Sequence, residues 1–393
     1  MDKSIHKILY YAKWLVVFSF KITIAIIVSP FCNKKTYRDL WLIAERPDEA
    51  RDNGYWLYKY IVEKHPEINV RYVLSKSSPD YVKMPRKELL IEPKSLAHYL
   101  SFVLCTKAIA VEMHGASPGK AFCIPFLPFM RKKQTIFLQH GVINSIIPLR
   151  NKLDLIVSTC EQEKRLLQQS NPRLKNNVQV LGLCRFDHLI DTSQHRKHQT
   201  ILIMPTFRRW LRDLIRLKNA EEKFKKTEYY KRWNEVLNDN QLKEMIEQEN
   251  ITVVFYLHHE LQPMTKTFCS NSKNVVIAHQ KDHDVQTLLR DSALLVTDYS
   301  SVFFDFIYME KPVLYYQFDQ EAFLSKHYTR SLESYFFGDR VSKHVELINA
   351  ILASITNGFR ASNKNLLAAN AYFAYHDQQN TQRNFEAIAQ GGK

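Results

Sequence analysis

Glycine is scarce in this chain, with nine residues in 393. Neither a G-x-x-x-x-G-K-[ST] loop nor a G-x-G-x-x-G turn occurs, so P-loop and glycine-fingerprint nucleotide sites are disfavoured. Six cysteines (Cys32, Cys105, Cys123, Cys160, Cys184, Cys269) are scattered without a C-x-x-C pair. That removes zinc-ribbon spacing and any disulfide framework, and fits reduced thiols in a cytosolic setting. No nucleophile elbow supports a Ser-His-Asp hydrolase. No helix-turn-helix, zinc-finger or RRM signature is visible, so nucleic acid is not an expected partner. Internal repeats and low-complexity tracts are also absent. Acidic residues fall short of basic ones, 40 against 55, leaving a net charge of +15.

A balance this basic implies polyanionic company: acidic lipid or a phosphate-rich substrate once nucleic acid is set aside. The length suffices for two domains, and 45% hydrophobic with 12% aromatic residues can build a sizeable core. One strongly apolar segment stands out, Trp14 to Cys32, with Lys3, Lys7 and Lys13 before it and Lys34 and Lys35 after. It approaches the ~20 residues of a membrane span. Lys21 in its middle, Pro30 near its end and the lack of a clean cleavage site favour an interfacial helix over a span or a leader. Residues 1–35 therefore read as a membrane-associated segment on the cytoplasmic face of an anionic membrane.

Beyond Lys35, short apolar runs alternate with amphipathic ones. Leu40 to Ala44, Val70 to Leu74, Ala108 to Glu112, Thr135 to Gln139 and Asp154 to Ser158 read as strands. Asn53 to Lys64 and Glu161 to Gln169 read as helices. A second series runs through Ile201 to Met204, Thr252 to Leu257, Val275 to Ala278, Ala293 to Thr297 and Val313 to Tyr316. Alternation of this kind predicts α/β structure with parallel sheets covered on both faces. Two series predict two Rossmann-like, doubly wound domains, residues 36–190 and 200–393, joined by the polar linker 191–199. The very basic stretch Arg208 to Arg232 reads either as a solvated charged helix or as a wall for a polyanion.

Ligands of doubly wound sheets bind at the carboxyl ends of the strands. The most informative of those ends is Thr297-Asp298-Tyr299-Ser300-Ser301, which leads through Phe304-Asp305 to Lys311-Pro312. Small polar residues between a strand and a helix offer hydroxyls and N–H groups to an anion. Thr135 to Gln139 ends in His140-Gly141, where glycine would let the backbone turn and keep the imidazole open. A structural histidine and a catalytic one are both consistent with that pattern. Thr252 to Leu257 ends in His258-His259, whose side chains point to opposite sides of an extended chain and so cannot easily share one metal ion. Pro205-Thr206-Phe207-Arg208 follows another strand and supplies a hydroxyl and a guanidinium, and Gly182-Leu183-Cys184-Arg185 adds a second arginine.

Together these segments resemble the CDP-glycerol:poly(glycerophosphate) glycerophosphotransferase family. The resemblance runs through Glu45-Arg46-Pro47, Glu49 to Tyr55, Gln139-His140-Gly141, Gly182 with Arg185 and Asp187, Pro205 to Arg208, His258, and Thr297 to Asp305. It implies a GT-B architecture, with an acceptor domain and a donor-nucleotide domain facing across a cleft and the last helix returning to the first domain. It further implies that His140 and His258 are the catalytic pair. Donor contacts would come from His140, Gly141, Val142, Ile143, Asn144, Arg185, Pro205, Thr206, Leu257, His258, His259, Ser300, Ser301 and Asp305. The chain departs from many relatives in having Gln139 where they have Trp, and His259 where they have Pro.

The expected reaction is attack by an acceptor hydroxyl on the β-phosphate of CDP-glycerol, releasing CMP, in teichoic acid or capsule polymer synthesis. His140 would act as base, His258 as phosphate stabiliser, and Arg185 and Arg208 with the two serines as pyrophosphate ligands. The partners implied are a CDP-polyol donor and a lipid-linked polyol-phosphate or saccharide acceptor. A divalent cation stays open as a companion, since no paired-carboxylate motif stands out. CDP-ribitol and a nucleotide sugar are the alternative donors.

Overall fold

The structure, a computed structural model, describes residues 3–112, 115–143, 153–326 and 336–391. Asn144, one of the expected donor contacts, lies outside them. The chain divides into two compact units, Met1–Val142 with Ile147–Asp187 and Asp377–Lys393, and Ile143–Ile146 with His188–His376.

The first unit holds a seven-stranded sheet: β1 (Trp41–Ala44), β2 (Val70–Val73), β3 (Leu90–Ile91), β4 (Lys107–Ala110), β5 (Gln134–Phe137), β6 (Leu155–Ser158) and β7 (Val178–Val180). All neighbours pair in parallel, in the order β3-β2-β1-β4-β5-β6-β7. The second unit holds β8 (Thr200–Ile203), β9 (Thr252–Tyr256), β10 (Val275–Ala278), β11 (Leu294–Thr297), β12 (Val313–Tyr316) and β13 (Asp339–Val341). Its order is β10-β9-β8-β11-β12-β13, again parallel throughout. Strands such as β1, β11 and β12 are buried along their whole length, as helices on both faces require. The expected α/β class with two doubly wound sheets is what the chain adopts. The strand order reverses between β1 and β4 and between β8 and β11, and polar loops leave the carboxyl ends there. Three strands were not anticipated: β3 has only two residues, β7 only three, and edge strand β13 carries exposed Asp339 and Arg340 instead of an apolar run.

The helix Asn380–Ala389 belongs to the first unit. Phe385 stacks on His65 at 3.9 Å and lies 5.8 Å from Trp41. Asp187 accepts from the backbone N–H groups of Asn380 and Thr381, at 2.8 and 2.7 Å, where that helix begins. Gly182 sits against this junction with φ +76°, and a Cβ there would lie 1.8 Å from Asn380 Oδ1. Gly182→Ala should therefore cost roughly 2–4 kcal/mol, from left-handed backbone plus the clash. A urea titration checks it; an unchanged midpoint would mean that the loop and the helix separate at no cost.

The N-terminal helix, Lys3–Val28, is followed by a short 3-10 turn, and Trp14–Phe31 is long and apolar enough to cross a membrane. Phe18, Ile22 and Ala25, spaced to share one helix face, are buried in the first unit's core with Leu42, Tyr99 and Phe102. Val16, Phe20 and Ile27 remain exposed. Lys21 points its ammonium to the Lys94 carbonyl at 3.0 Å.

Candidate active site

In the first unit, β1 runs into Glu45 and the loop to Asp52, which caps the helix Asn53–Lys64 by accepting from the Asn53 N–H at 2.8 Å. Glu45 is buried beneath that turn and accepts from the backbone N–H groups of Arg51, Asp52 and Tyr55. Burial, then the neighbouring Asp52 charge, push Glu45 up to about 7 against those three donors. Gly54 keeps the approach open, since a Cβ there would stand 3.0 Å from Glu45 Cγ.

Asp52 is the hub of the cluster. One carboxylate oxygen takes the Arg185 guanidinium at 2.9 Å, and the other holds Nδ1 of His140. Arg185 also donates to the His140 carbonyl at 2.8 Å, and its backbone N–H donates to Asn53 Oδ1 at 3.0 Å. Burial works to raise Asp52, but Arg185 and His140 outweigh it and hold the carboxyl below its usual range. Asp52 in turn raises the His140 imidazole above its ordinary value. The His140 side chain keeps 62% exposure. A carboxylate on Nδ1 fixes the proton there and leaves Nε2 as the acceptor.

The turn that presents His140 is not made where expected. Gly141 is absent from the left-handed residues; Gln139, fully buried, has φ +63°. Its carbonyl accepts from Asn53 Nδ2 at 2.8 Å, and its amide donates to the Val157 carbonyl. Those two bonds hold a conformation that costs a non-glycine residue of order 1–3 kcal/mol. Val142 is buried beside the turn and Ile143 is half-buried.

In the second unit the ends of adjacent strands β9, β8 and β11 bring the remaining candidates together. His258 follows β9, its Nδ1 accepts from the Glu260 N–H at 3.3 Å, and its ring stacks near Phe207 at 5.7 Å. An Nδ1 that accepts puts the proton of a neutral ring on Nε2, the reverse of His140. His259 is exposed, while Leu257 is buried and its carbonyl accepts from Gln262. Pro205 is buried, and Thr206 donates its N–H and hydroxyl to Asp298. Ser300 Oγ accepts from the Val302 N–H, whereas exposed Ser301 makes no side-chain cap to the helix Val302–Tyr308. Asp305 is buried on that helix.

Arg208 departs from its expected role as a pyrophosphate ligand. It is fully buried, bonded to Asp298 at 2.8 Å, to Asp319 at 2.7 and 3.0 Å, and to the Thr206 carbonyl at 2.7 Å. Four aromatic rings, Tyr229, Tyr299, Phe318 and Phe323, surround the guanidinium. Two carboxylates outcompete an outside phosphate for a cation with no exposed surface. Arg185 is likewise committed, to Asp52. Asp52 itself was seen in the sequence only as part of a motif, and its N-cap position before a helix was the one available signal. Among the described residues no group of three His, Cys, Asp or Glu side chains is arranged to hold a metal ion.

Two doubly wound parallel-sheet units with His, Thr and Ser at their strand ends define a GT-B-like α/β architecture. The chain belongs to the CDP-Glycerol:Poly(glycerophosphate) glycerophosphotransferase family, whose model matches residues 26–390. It is 27% identical over 366 residues to the minor teichoic acid biosynthesis protein GgaB of Bacillus subtilis (strain 168), covering 89% of this chain and 40% of GgaB. It is 26% identical over 144 residues to the teichoic acid ribitol-phosphate polymerase TarK of Staphylococcus aureus (strain NCTC 8325 / PS 47), covering 35% of this chain and 26% of TarK. The chain thus spans well under half the length of these curated relatives. Among solved structures, the wall teichoic acid polymerase TagF matches with a TM-score of 0.69 at 14% identity, over 98% of this chain and 97% of that one. That likeness establishes the shared fold.

Proposed function

We propose that the chain transfers a polyol phosphate from a CDP-linked donor, with CDP-glycerol as the first choice, to a hydroxyl of a lipid-linked or polymeric acceptor. The observation that carries this reading is the opposite commitment of the two histidines. His140 offers an unprotonated Nε2, raised in basicity by Asp52, to take the acceptor's proton. His258 offers Nε2–H, which donates to a phosphate oxygen as charge builds there. The acceptor oxygen bonds to the β-phosphorus, the bond to the bridging oxygen breaks, and CMP leaves with the electron pair. Thr206, Ser300 and Ser301 stand at the strand ends where a donor is bound in such folds. Family membership and the teichoic acid roles named for GgaB, TarK and TagF support the substrate class.

CDP-ribitol is the second reading, favoured by the match to the ribitol-phosphate polymerase TarK. The test is nucleotide release with CDP-glycerol, CDP-ribitol and UDP-sugars, each with a lipid-linked acceptor. CMP from one CDP-polyol alone identifies the donor; UDP release alone sinks the reading. His258→Ala should lower CMP release about a hundredfold, the usual loss for one oxyanion donor. The exposed apolar face of the N-terminal helix, flanked by Lys34 and Lys35, supports attachment to an anionic membrane on the cytoplasmic side.

A further inference from the structure

A cavity of about 1230 Å³ lies in the first unit, and none of Glu45, Asp52, His140 and Arg185 lines it. This exceeds the roughly 300–1,000 Å³ of ordinary small-molecule sites. Its walls are mostly apolar, with Phe102, Ile136, Phe137 and Leu153 among them. Ile124 and Leu127 complete the wall from the 3-10 segment Lys120–Phe129, and both are also substantially solvent-exposed. The cavity therefore opens through that segment. The N-terminal helix packs on the same segment, Trp14 lying 5.0 Å from Phe122 and Phe18 lying 6.0 Å from Phe126. The mouth of the cavity thus lies on the segment that carries exposed Phe129, beside the helix whose Val16 and Phe20 are exposed.

Charge in the cavity is unbalanced. Its carboxylates have partners: Asp39 meets Arg131 at 3.7 Å, Glu112 meets Arg46 at 3.3 Å, and Asp154 accepts from the N–H and hydroxyl of Thr135. Lys107 and Lys133 line it without an ion pair to a carboxylate among the described residues. Lys107 donates to Gln134 at 2.6 Å and lies over Trp41; Lys133 lies 4.7 Å over Phe102. Burial lowers both ammonium groups from their ordinary value, with the Asp39 carboxylate acting the other way on Lys107. Exposed Lys132 adds a third positive charge at the rim.

We propose that this cavity binds the apolar tail of a single-chain lipid phosphate, with Lys107 and Lys133 facing its anionic head, and so holds the carrier on which the acceptor is presented. The assignment of the lipid as acceptor carrier rests on the transferase reading; the binding itself does not. Each methylene buried strengthens binding roughly fourfold, so tail length dominates affinity.

The probe is dodecyl phosphate, titrated below its micelle concentration against the full chain, with dodecanol and inorganic phosphate as headless and tailless controls. One dodecyl phosphate should bind per chain, at least tenfold more tightly than dodecanol, and inorganic phosphate should not displace it. Ile124→Glu with Leu127→Glu, at exposed positions that leave melting unchanged, should weaken binding at least tenfold. Lys133→Met should weaken dodecyl phosphate but not dodecanol. Equal binding by the parent and the double variant, or no saturable site, overturns the proposal. CMP release from CDP-glycerol or CDP-ribitol to a lipid-linked acceptor separates the two readings. Its absence in the parent, with cavity binding intact, would sink the transferase reading alone.

Discussion

His140→Ala should lower CMP release from the donor by roughly two to four decades, the scale of a positioned base. The fold should survive, because most of this side chain faces solvent and fills no core space. The same cluster sets the pH dependence. With His140 as the proposed base, transfer needs the neutral ring, so activity should rise with pH through the His140 pKa. Asp52 raises that pKa, which places the acid limb above the ~6.5 of an unperturbed histidine. Asp52→Asn keeps an N-cap and an acceptor for Nδ1–H but removes the charge. The limb should then move to lower pH, and the plateau should fall about tenfold as the base weakens. A merely structural Asp52 would lower stability and leave the limb in place. Near-normal CMP release by a folded His140→Ala protein would remove the residue from the mechanism.

Arg208→Leu should unfold the second unit at markedly lower denaturant. Removing one member of a buried ion pair costs about 3–5 kcal/mol, because the remaining charge is left without a partner. Here two carboxylates, Asp298 and Asp319, lose their shared cation, and the Thr206 carbonyl loses a donor. Such a loss is a large fraction of the 5–15 kcal/mol of a typical domain. Arg208→Lys should not rescue it, since a single ammonium cannot reproduce the forked contacts or stack among four rings. The measurement is a urea titration followed by tryptophan emission, Trp233 being fully buried in this unit's core. A phosphate ligand at this position would instead leave the midpoint unchanged and weaken donor binding.

The strands were legible because apolar runs of four or five residues between polar turns have few other uses. Val275–Ala278 and Val313–Tyr316 match their expected bounds, and the helix Asn53–Lys64 does so as well. The site positions at strand ends were legible for a related reason: a doubly wound sheet has one end where loops can carry chemistry. The roles of the two arginines were not legible. Arg185 meets Asp52 across 133 positions and Arg208 meets Asp319 across 111, distances over which no local pattern signals a pair. The strained turn escaped for the same reason. Glycine was expected to supply it at Gly141, but contacts from Asn53 and to Val157 hold Gln139 there instead.

The sequence alone determined the parallel α/β class, the strand ends that carry polar residues, the apolar N-terminal segment and the family. All of these rest on local spacing and composition. Tertiary structure decided which charged groups are spent on the fold and which remain for a ligand. It sealed Arg208 between two aspartates, set Asp52 on Nδ1 of His140, and turned one face of the N-terminal helix into the core. Burial and pairing are properties of neighbours in space, and a charge costs too much to bury without a partner, so its role follows from where that partner lies.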